Sequence, residues 1–304
     1  MSWVGRPPGD DDVRAYAHTL ADRQMQEATS GRGAIAYLTA ETRRQALAEV
    51  REGVTYSLAQ PISAVPGPDQ IFGPPLHLDL EPPFAEQAGE GGRYDYLGLA
   101  VHGFDLTHVD ALSHTSYQGR FFGGRSVAEA RKTLDVRMAA DGLVARAVLL
   151  DVPDARGLEW IDHGTPVLPA EIEEILRRQK VTPRPGDAYL LYTGRTRRLA
   201  EAGGRAIDSQ PGWHVGCLPW LRDGQASVVG CDVVCEYMPS GYAFRIPFHT
   251  FGISQLGLWI LDTLDLDRAV RHCRRTRRYE FALIVAPLPL VGGTGSPVNP
   301  LAIF

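Results

Sequence analysis

The stretch His102-Gly103-Phe104-Asp105-Leu106-Thr107-His108-Val109-Asp110-Ala111-Leu112-Ser113-His114 places three histidines and two aspartates within thirteen residues. His108 and Asp110 are two positions apart, so on an extended segment their side chains share a face, about 7 Å from each other. One cation with bonds of about 2 Å bridges such a pair. On a straight strand His114 would lie roughly 20 Å from His108, and it joins the pair only if the chain turns. Asp110 is a good N-cap, and a helical turn over Ala111-Leu112-Ser113-His114 would bring His114 back toward the strand end. The spacing therefore predicts a strand-to-helix corner that gathers His108, Asp110 and His114 around one point. Imidazole and carboxylate so arranged suit metal-assisted hydrolysis: a bound divalent ion lowers the pKa of water, and a nearby unligated histidine moves the proton. His18, His77, His163 and His272 stand apart from this stretch and read as ordinary polar residues.

Other chemical signals are weaker. The chain holds no Gly-x-Ser-x-Gly elbow, Walker loop, His-Glu-x-x-His or Gly-x-Gly-x-x-Gly, which removes the common serine-hydrolase, nucleotide and zincin readings. Cys231 and Cys235 fall on an apparent buried strand and read as packed thiols. Asp232 and Glu236, on the same stretch, either flank a cleft or form structural ion pairs. The arginine-rich run from Arg271 to Arg278 reads as a solvated helix end, where cations complement the helix dipole. Gly292-Gly293-Thr294-Gly295-Ser296-Pro297 lacks a following helix to present amides to phosphate and reads as a turn. Phe104, Phe121, Phe122, Tyr117 and Trp259 either line an apolar pocket for a ring-bearing substrate or belong to the core.

These side chains need a scaffold. Residues 1–34 are polar and broken by Gly and Pro, and read as an N-terminal arm. Thr39 caps a helix that Gly53 follows, and Val54–Leu58 alternates as a strand. Residues 59–96 are a Pro/Gly-rich excursion of the kind that serves a binding surface or subunit contact. Buried strands are expected over Ala145–Val152, Asp187–Thr193, Ser227–Val234 and Phe281–Pro287. Helices are expected from Leu168 to near Lys180 and, capped by Asp265, over Leu266–Arg278; Ser254–Leu261 is an apolar run. Strands and helices interleave without strict alternation, so the class is α/β or α+β with a mixed sheet.

Composition sets outer bounds. The 304 residues carry 31 basic and 36 acidic side chains, a net charge of −5, with 44% hydrophobic and 22% charged residues. That is an ordinary globular mixture, with enough apolar material for a sizeable core, and its mild acidity argues against nucleic acid as the main partner. No apolar run approaches the roughly 18 residues of a membrane span. The opening residues lack the apolar region of a secretory signal, and four cysteines are too few for a disulfide framework. A cytoplasmic protein with free thiols, acting on a small molecule away from membranes, is the expectation.

Thr107-His108-Val109-Asp110-Ala111-Leu112-Ser113-His114 resembles the signature His-x-Gly-Thr-His-x-Asp-x-Pro-x-His of the cyclase family, which includes bacterial kynurenine formamidases and isatin hydrolases. The similarity extends through Leu38-Thr39-Ala40-Glu41, Gly53–Leu58, Ala147–Asp151, Gly186–Arg195, Pro247-Phe248-His249, Leu261-Asp262 and Ala286–Pro300, the last of these similar to the longer bacterial branch. It covers about residues 35–304. The resemblance implies a compact, barrel-like mixed-sheet domain with peripheral helices over 35–304, assembling as a homo-dimer or homo-tetramer. It further implies a hydrolase or cyclase dependent on zinc or manganese, acting on an amide, lactam or lactone bond of a small cyclic or aromatic compound. By motif position His108, Asp110, His249 and Asp262 would be metal ligands. His114 would be the acid/base residue, with Asp110 beside it in the catalytic pair. Apart from the resemblance, Phe104, His102, Phe121 and Trp259 are the candidates for substrate contact.

The chain also departs from that pattern. Phe104 stands at the first His, Leu106 at the Gly and Leu112 at the Pro. Asp262 stands where many relatives have Glu, and Phe122-Gly123-Gly124 where Tyr-Asn-Gly is common. One imidazole is thereby missing, and His102, on the same extended face as Phe104, replaces it only if the strand shifts or bulges. An alternative is a metal-free cyclase, isomerase or dehydratase of secondary metabolism, with His114 and Asp110 as acid and base. A non-catalytic binding relative is a third reading, against which the retained His108, Asp110, His114, His249 and Asp262 argue.

Overall fold

Leu143–Asp151 is apolar on both faces apart from Arg146 and the terminal Asp151, which is what a strand covered on both sides requires. In the computed structural model, which describes residues 9–15, 31–80, 92–203 and 209–304, it forms the longest strand of a curled nine-stranded sheet. The strands are β1 (Thr55–Ser57), β2 (Leu76–Leu80), β3 (Tyr94–Gly98), β4 (His108–Asp110), β5 (Leu143–Asp151), β6 (Pro166–Val167), β7 (Ala188–Tyr192), β8 (Gly212–Trp213), β9 (Val228–Cys231), β10 (Trp259–Asp262), β11 (Glu280–Val285), β12 (Gly295–Pro297) and β13 (Leu301–Ile303). The large sheet runs β1-β13-β11-β5-β7-β9-β10-β4-β12. β5, β7, β9 and β10 are mutually parallel, and the strands outside them pair antiparallel. The mixed sheet expected from the interleaved pattern is what forms.

Helices cover this sheet: α1 (Ala40–Leu47), α2 (Val127–Thr133), α3 (Val152–Arg156), α4 (Pro169–Gln179), α5 (Arg195–Ala202), α6 (Leu218–Asp223), α7 (Pro247–Ser254) and α8 (Asp267–Thr276). The parallel neighbours are joined by helical crossovers, as they must be, and α7 is the one between β9 and β10. Thr39 caps α1 by accepting from the Thr42 amide. α4 buries Ile172, Ile175 and Leu176, a stripe at helical spacing. Asp265 Oδ1 accepts from the Asp267 amide at the start of α8. Arg146, the one basic residue of β5, is held by two 2.9 Å hydrogen bonds to the Asp187 carboxylate.

Several boundaries differ from expectation. β9 stops at Cys231, so Cys235 is not on that strand; both thiols are buried and free, as are Cys217 and Cys273. The apolar run 254–261 divides between the end of α7 and the start of β10. The arginine run is not wholly solvated: Arg274 makes two hydrogen bonds to buried Asp151, and Arg278 donates to the Glu49 carbonyl. Most of the N-terminal arm lies outside the described residues; in its described part Val13 is buried and the Asp10 carboxylate accepts from the Ala243 amide. The excursion over 59–96 contains an antiparallel ribbon, β2 with β3, which sets Leu76, Leu78, Leu80, Tyr94 and Tyr96 on one exposed face. Among the described residues no helix is long and apolar enough to cross a membrane.

His214 ties the segment ahead of α7 to this frame. Its Nδ1 accepts from the Gly216 amide, so the ring proton sits on Nε2 and is directed at the Tyr242 hydroxyl, 2.9 Å away. Burial pushes the His214 imidazole down to about 4. A folded-state value below the unfolded one stabilises the protein above the ordinary histidine range, and that contribution is lost as pH falls from about 6.5 toward 4. Between pH 7 and pH 5 the wild type should therefore lose about 2 kcal/mol more stability than His214→Asn in urea melts, from 1.36 kcal/mol per pKa unit. Equal losses in the two proteins would contradict this.

Candidate metal and catalytic site

β4 is only three residues long and is held on both sides. Asp110, Val109 and His108 pair with Ile260, Leu261 and Asp262 of β10, and with Gly295, Ser296 and Pro297 of β12. Strand alternation puts His108, Asp110 and Asp262 on one face. His108 Nδ1 donates to the Leu106 carbonyl at 2.7 Å, which leaves Nε2 facing the carboxylates, 3.5 Å from Asp110 Oδ1 and 3.8 Å from Asp262 Oδ2. His249 enters from the first turn of α7, with Nε2 3.1 Å from Asp262 Oδ2 and 3.8 Å from Asp110 Oδ2. His114 Nε2 lies 3.9 Å from the same Asp110 oxygen. His102 stacks on His114 at 3.8 Å between ring centroids, with Nδ1 2.9 Å from Asp110 Oδ1 and Nε2 2.8 Å from Thr294 Oγ1. Four imidazoles thus surround one carboxylate.

The electrostatics follow from that crowding. Burial alone would raise the Asp110 carboxyl, but His114, the His102 hydrogen bond and His108 outweigh it and hold the group well below the usual carboxylate range. His114 is pushed down to about 4, first by burial and then by the neighbouring imidazoles, against the pull of Asp110. For His249 burial works downward, but Asp262 and then Glu236 raise the imidazole well above its ordinary value. Burial raises the Glu236 carboxyl, with His249 opposing.

The donor set fits a divalent cation. His102, His108 and Asp110 form one group, and Asp110, His249 and Asp262 another; within each, one donor atom per residue lies within 4.8 Å of the others. Asp110 belongs to both, and its Oδ2 is buried with no hydrogen-bond partner. A buried anionic oxygen without a donor is costly unless a cation meets it. Neutral imidazole nitrogens and carboxylate oxygens are the donors that zinc and similar ions take.

The structure brings together His102, His108, Asp110, His114, His249 and Asp262. The corner after β4 is present but is no helix: the His114 amide donates to the Ala111 carbonyl across a single turn. Asp110 accordingly does not cap anything; its side chain faces the imidazoles. His102 reaches Asp110 from an irregular segment of bends rather than from a shifted strand. Trp259 is corrected from pocket wall to core: it is fully buried, and alternation along β10 turns it to the face opposite Asp262. Phe122 is also in the core, while Phe121 is half-buried and packed against it. Half-buried Phe104 offers its carbonyl to Arg195 at 3.1 Å.

Two contributors, the Cys235 amide and Thr294, carry no sequence signal of their own, while Glu236, left between cleft and structural ion pair by the sequence, contacts the site. The Cys235 amide donates to Asp262 Oδ1 at 2.7 Å, Glu236 receives His249, and the Thr294 hydroxyl pairs with His102 Nε2. Gly292–Pro297, read as a plain turn, carries Thr294 and leads into β12. Gly295 is there because the backbone comes too close for any side chain: a Cβ would lie 2.6 Å from the Val109 carbonyl oxygen and 2.8 Å from His102 Cε1. The Gly-rich composition was the available signal, and close backbone approach is its meaning here.

A family model described as "Putative cyclase" matches residues 56–235. The chain belongs to the cyclase family. Among solved structures, one described as a novel cyclase superimposes with a TM-score of 0.81 at 27% identity, covering 90% of this chain and 94% of that one. Isatin hydrolase A from Ralstonia solanacearum gives 0.57 at 20% identity, covering 87% and 96%. A predicted metal-dependent hydrolase from Bacillus stearothermophilus gives 0.54 at 17%, covering 82% and 97%. The latter two share the cyclase-family fold with this chain. No curated protein matches the sequence at a significant level.

Gly295→Ala is expected to lower stability by about 1–3 kcal/mol, as overpacking does, and to shift the His102 ring signals in NMR spectra. An unchanged melting transition with unchanged His102 signals would contradict the close approach.

Proposed function

We propose that the protein is a metal-dependent hydrolase or cyclase acting on an amide, lactam or lactone bond of a small cyclic or aromatic compound. The observation that carries this reading is the buried, unpartnered Asp110 Oδ2, with His249 Nε2 and His114 Nε2 at 3.8 and 3.9 Å. His108, Asp110, His249 and Asp262 would hold zinc or manganese, with His102 supplying the imidazole that Phe104 does not. The bound ion supplies Lewis acidity toward a carbonyl and lowers the pKa of water.

The four inner side chains are nearly inaccessible, whereas those of His102 and His114 are 25% and 24% exposed, so the cluster opens to solvent along the stacked pair. His114 on that open side is the residue placed to take a proton from water and return it to the leaving nitrogen or oxygen. Beside His102 a narrow cleft is lined by Ile71, Phe72, Pro75 and Leu106 together with the polar Gln70 and Asp105. The isatin hydrolases among the structural neighbours are in keeping with the proposed cyclic or aromatic substrate. Closing and opening a ring are the two directions of one reaction at such a site.

A second reading is favoured by one observation: both His102 nitrogens are already paired, with Asp110 and Thr294. In it the same residues perform metal-free acid–base chemistry.

Elemental analysis of the purified protein should find at least about one equivalent of ion per one or two chains, with activity lost to chelator and restored by zinc or manganese. Activity unaffected by complete chelation would overturn the metal reading in favour of the second one. His114→Ala should lower kcat by about 10²–10⁴-fold, the usual worth of a general acid–base residue, with metal content unchanged. Full activity in that variant would remove His114 from the mechanism.

A further inference from the structure

The Glu236 carboxylate is 1% exposed and sits against the first turn of α7. Its Oε1 accepts from the Phe248 amide at 3.2 Å, and its Oε2 from the His249 amide at 3.0 Å. The same Oε2 lies 3.3 Å from His249 Nδ1, while the other ring nitrogen faces Asp262 and Asp110. The Glu236 backbone is itself clamped: Gln210 Nε2 donates to its carbonyl at 2.8 Å, and a Cβ at Gly212 would meet that oxygen at 2.6 Å. Three N–H donors, two from the helix backbone and one from the imidazole, therefore converge on one fixed carboxylate.

We infer that Glu236 is the positioning residue of the site: it fixes the His249 ring with its proton on Nδ1, so that Nε2 is the atom offered to a cation. The inference rests on the metal reading above and adds a residue that reading does not require. A carboxylate behind a ligating histidine sets its tautomer and orientation and raises its basicity, and losing such a partner typically costs 10–100-fold in metal affinity. Glu236→Gln preserves volume but can offer only one oxygen; its amide group then confronts at least one N–H donor, whichever way it is turned.

Zinc affinity of the full chain, measured by competition with a chromogenic chelator, should fall by about 10–100-fold in Glu236→Gln. The matched control is Asp232→Asn. Asp232 is also a buried carboxylate at a helix start, accepting from the Thr193, Gly194 and Arg195 amides, and it makes none of the cluster contacts. That variant should lower the melting temperature and leave zinc affinity within twofold. Glu236→Gln with affinity within twofold of wild type, while wild type binds zinc, overturns the positioning role alone. Wild type that binds no zinc overturns the metal reading, and the positioning role with it. Should Glu236→Gln not fold, ¹⁵N spectra of the zinc-loaded wild type decide: His249 protonated on Nδ1 supports the inference, and protonated on Nε2 overturns it.

Discussion

One buried carboxylate organises this molecule. Asp110 lies at the end of a three-residue strand with its two oxygens in unlike settings. Oδ1 is 2.9 Å from His102, while Oδ2 has no hydrogen-bond partner, although two imidazoles stand just beyond bonding reach. Charge without a partner in the interior is normally removed by neutralisation or by pairing. Here the surrounding imidazoles instead favour the ionised form, so the carboxylate stays negative and Oδ2 faces the cluster as an unpaired anionic oxygen.

The rest of the fold can be understood as what is needed to keep that arrangement rigid. β4 is too short to be stable alone and is sandwiched between β10 and β12. β10 brings Asp262 opposite His108, and β12 brings Thr294 and the bare Gly295 backbone against His102. α7, the crossover between parallel strands β9 and β10, delivers His249 from its first turn. Backbone amides complete the fixing, with Cys235 on Asp262 and the α7 amides on Glu236. Each group that touches the cluster is thus held by a second element, which is how a preorganised site limits its own freedom.

The part of the site that is local in sequence could be read from the sequence. The His108-Val109-Asp110 alternation and the need for a turn before His114 are consequences of strand geometry, and both are seen. His249 and Asp262 entered only through resemblance to the cyclase family, because nothing local links residues more than a hundred positions apart. Thr294 was not legible for the same reason, and Glu236 could be read only as a candidate to flank the cleft, because its partner is set by where α7 docks. The turn after Asp110 was mistaken for a helix because a capping residue followed by Ala-Leu-Ser satisfies the propensity, while the actual backbone is claimed by Thr294 and Leu134 carbonyls. The odd spacing of Trp259 from Asp262 on one strand is itself enough to put it on the opposite face.

Whether a cation belongs beside Asp110 is tested most directly by anomalous diffraction from crystals soaked in zinc. The expected result is a strong peak about 2 Å from Asp110 Oδ2, with Nε2 of His249 or His108 at bonding distance. An empty map at that position under saturating zinc, with the side chains placed as they are here, would contradict it.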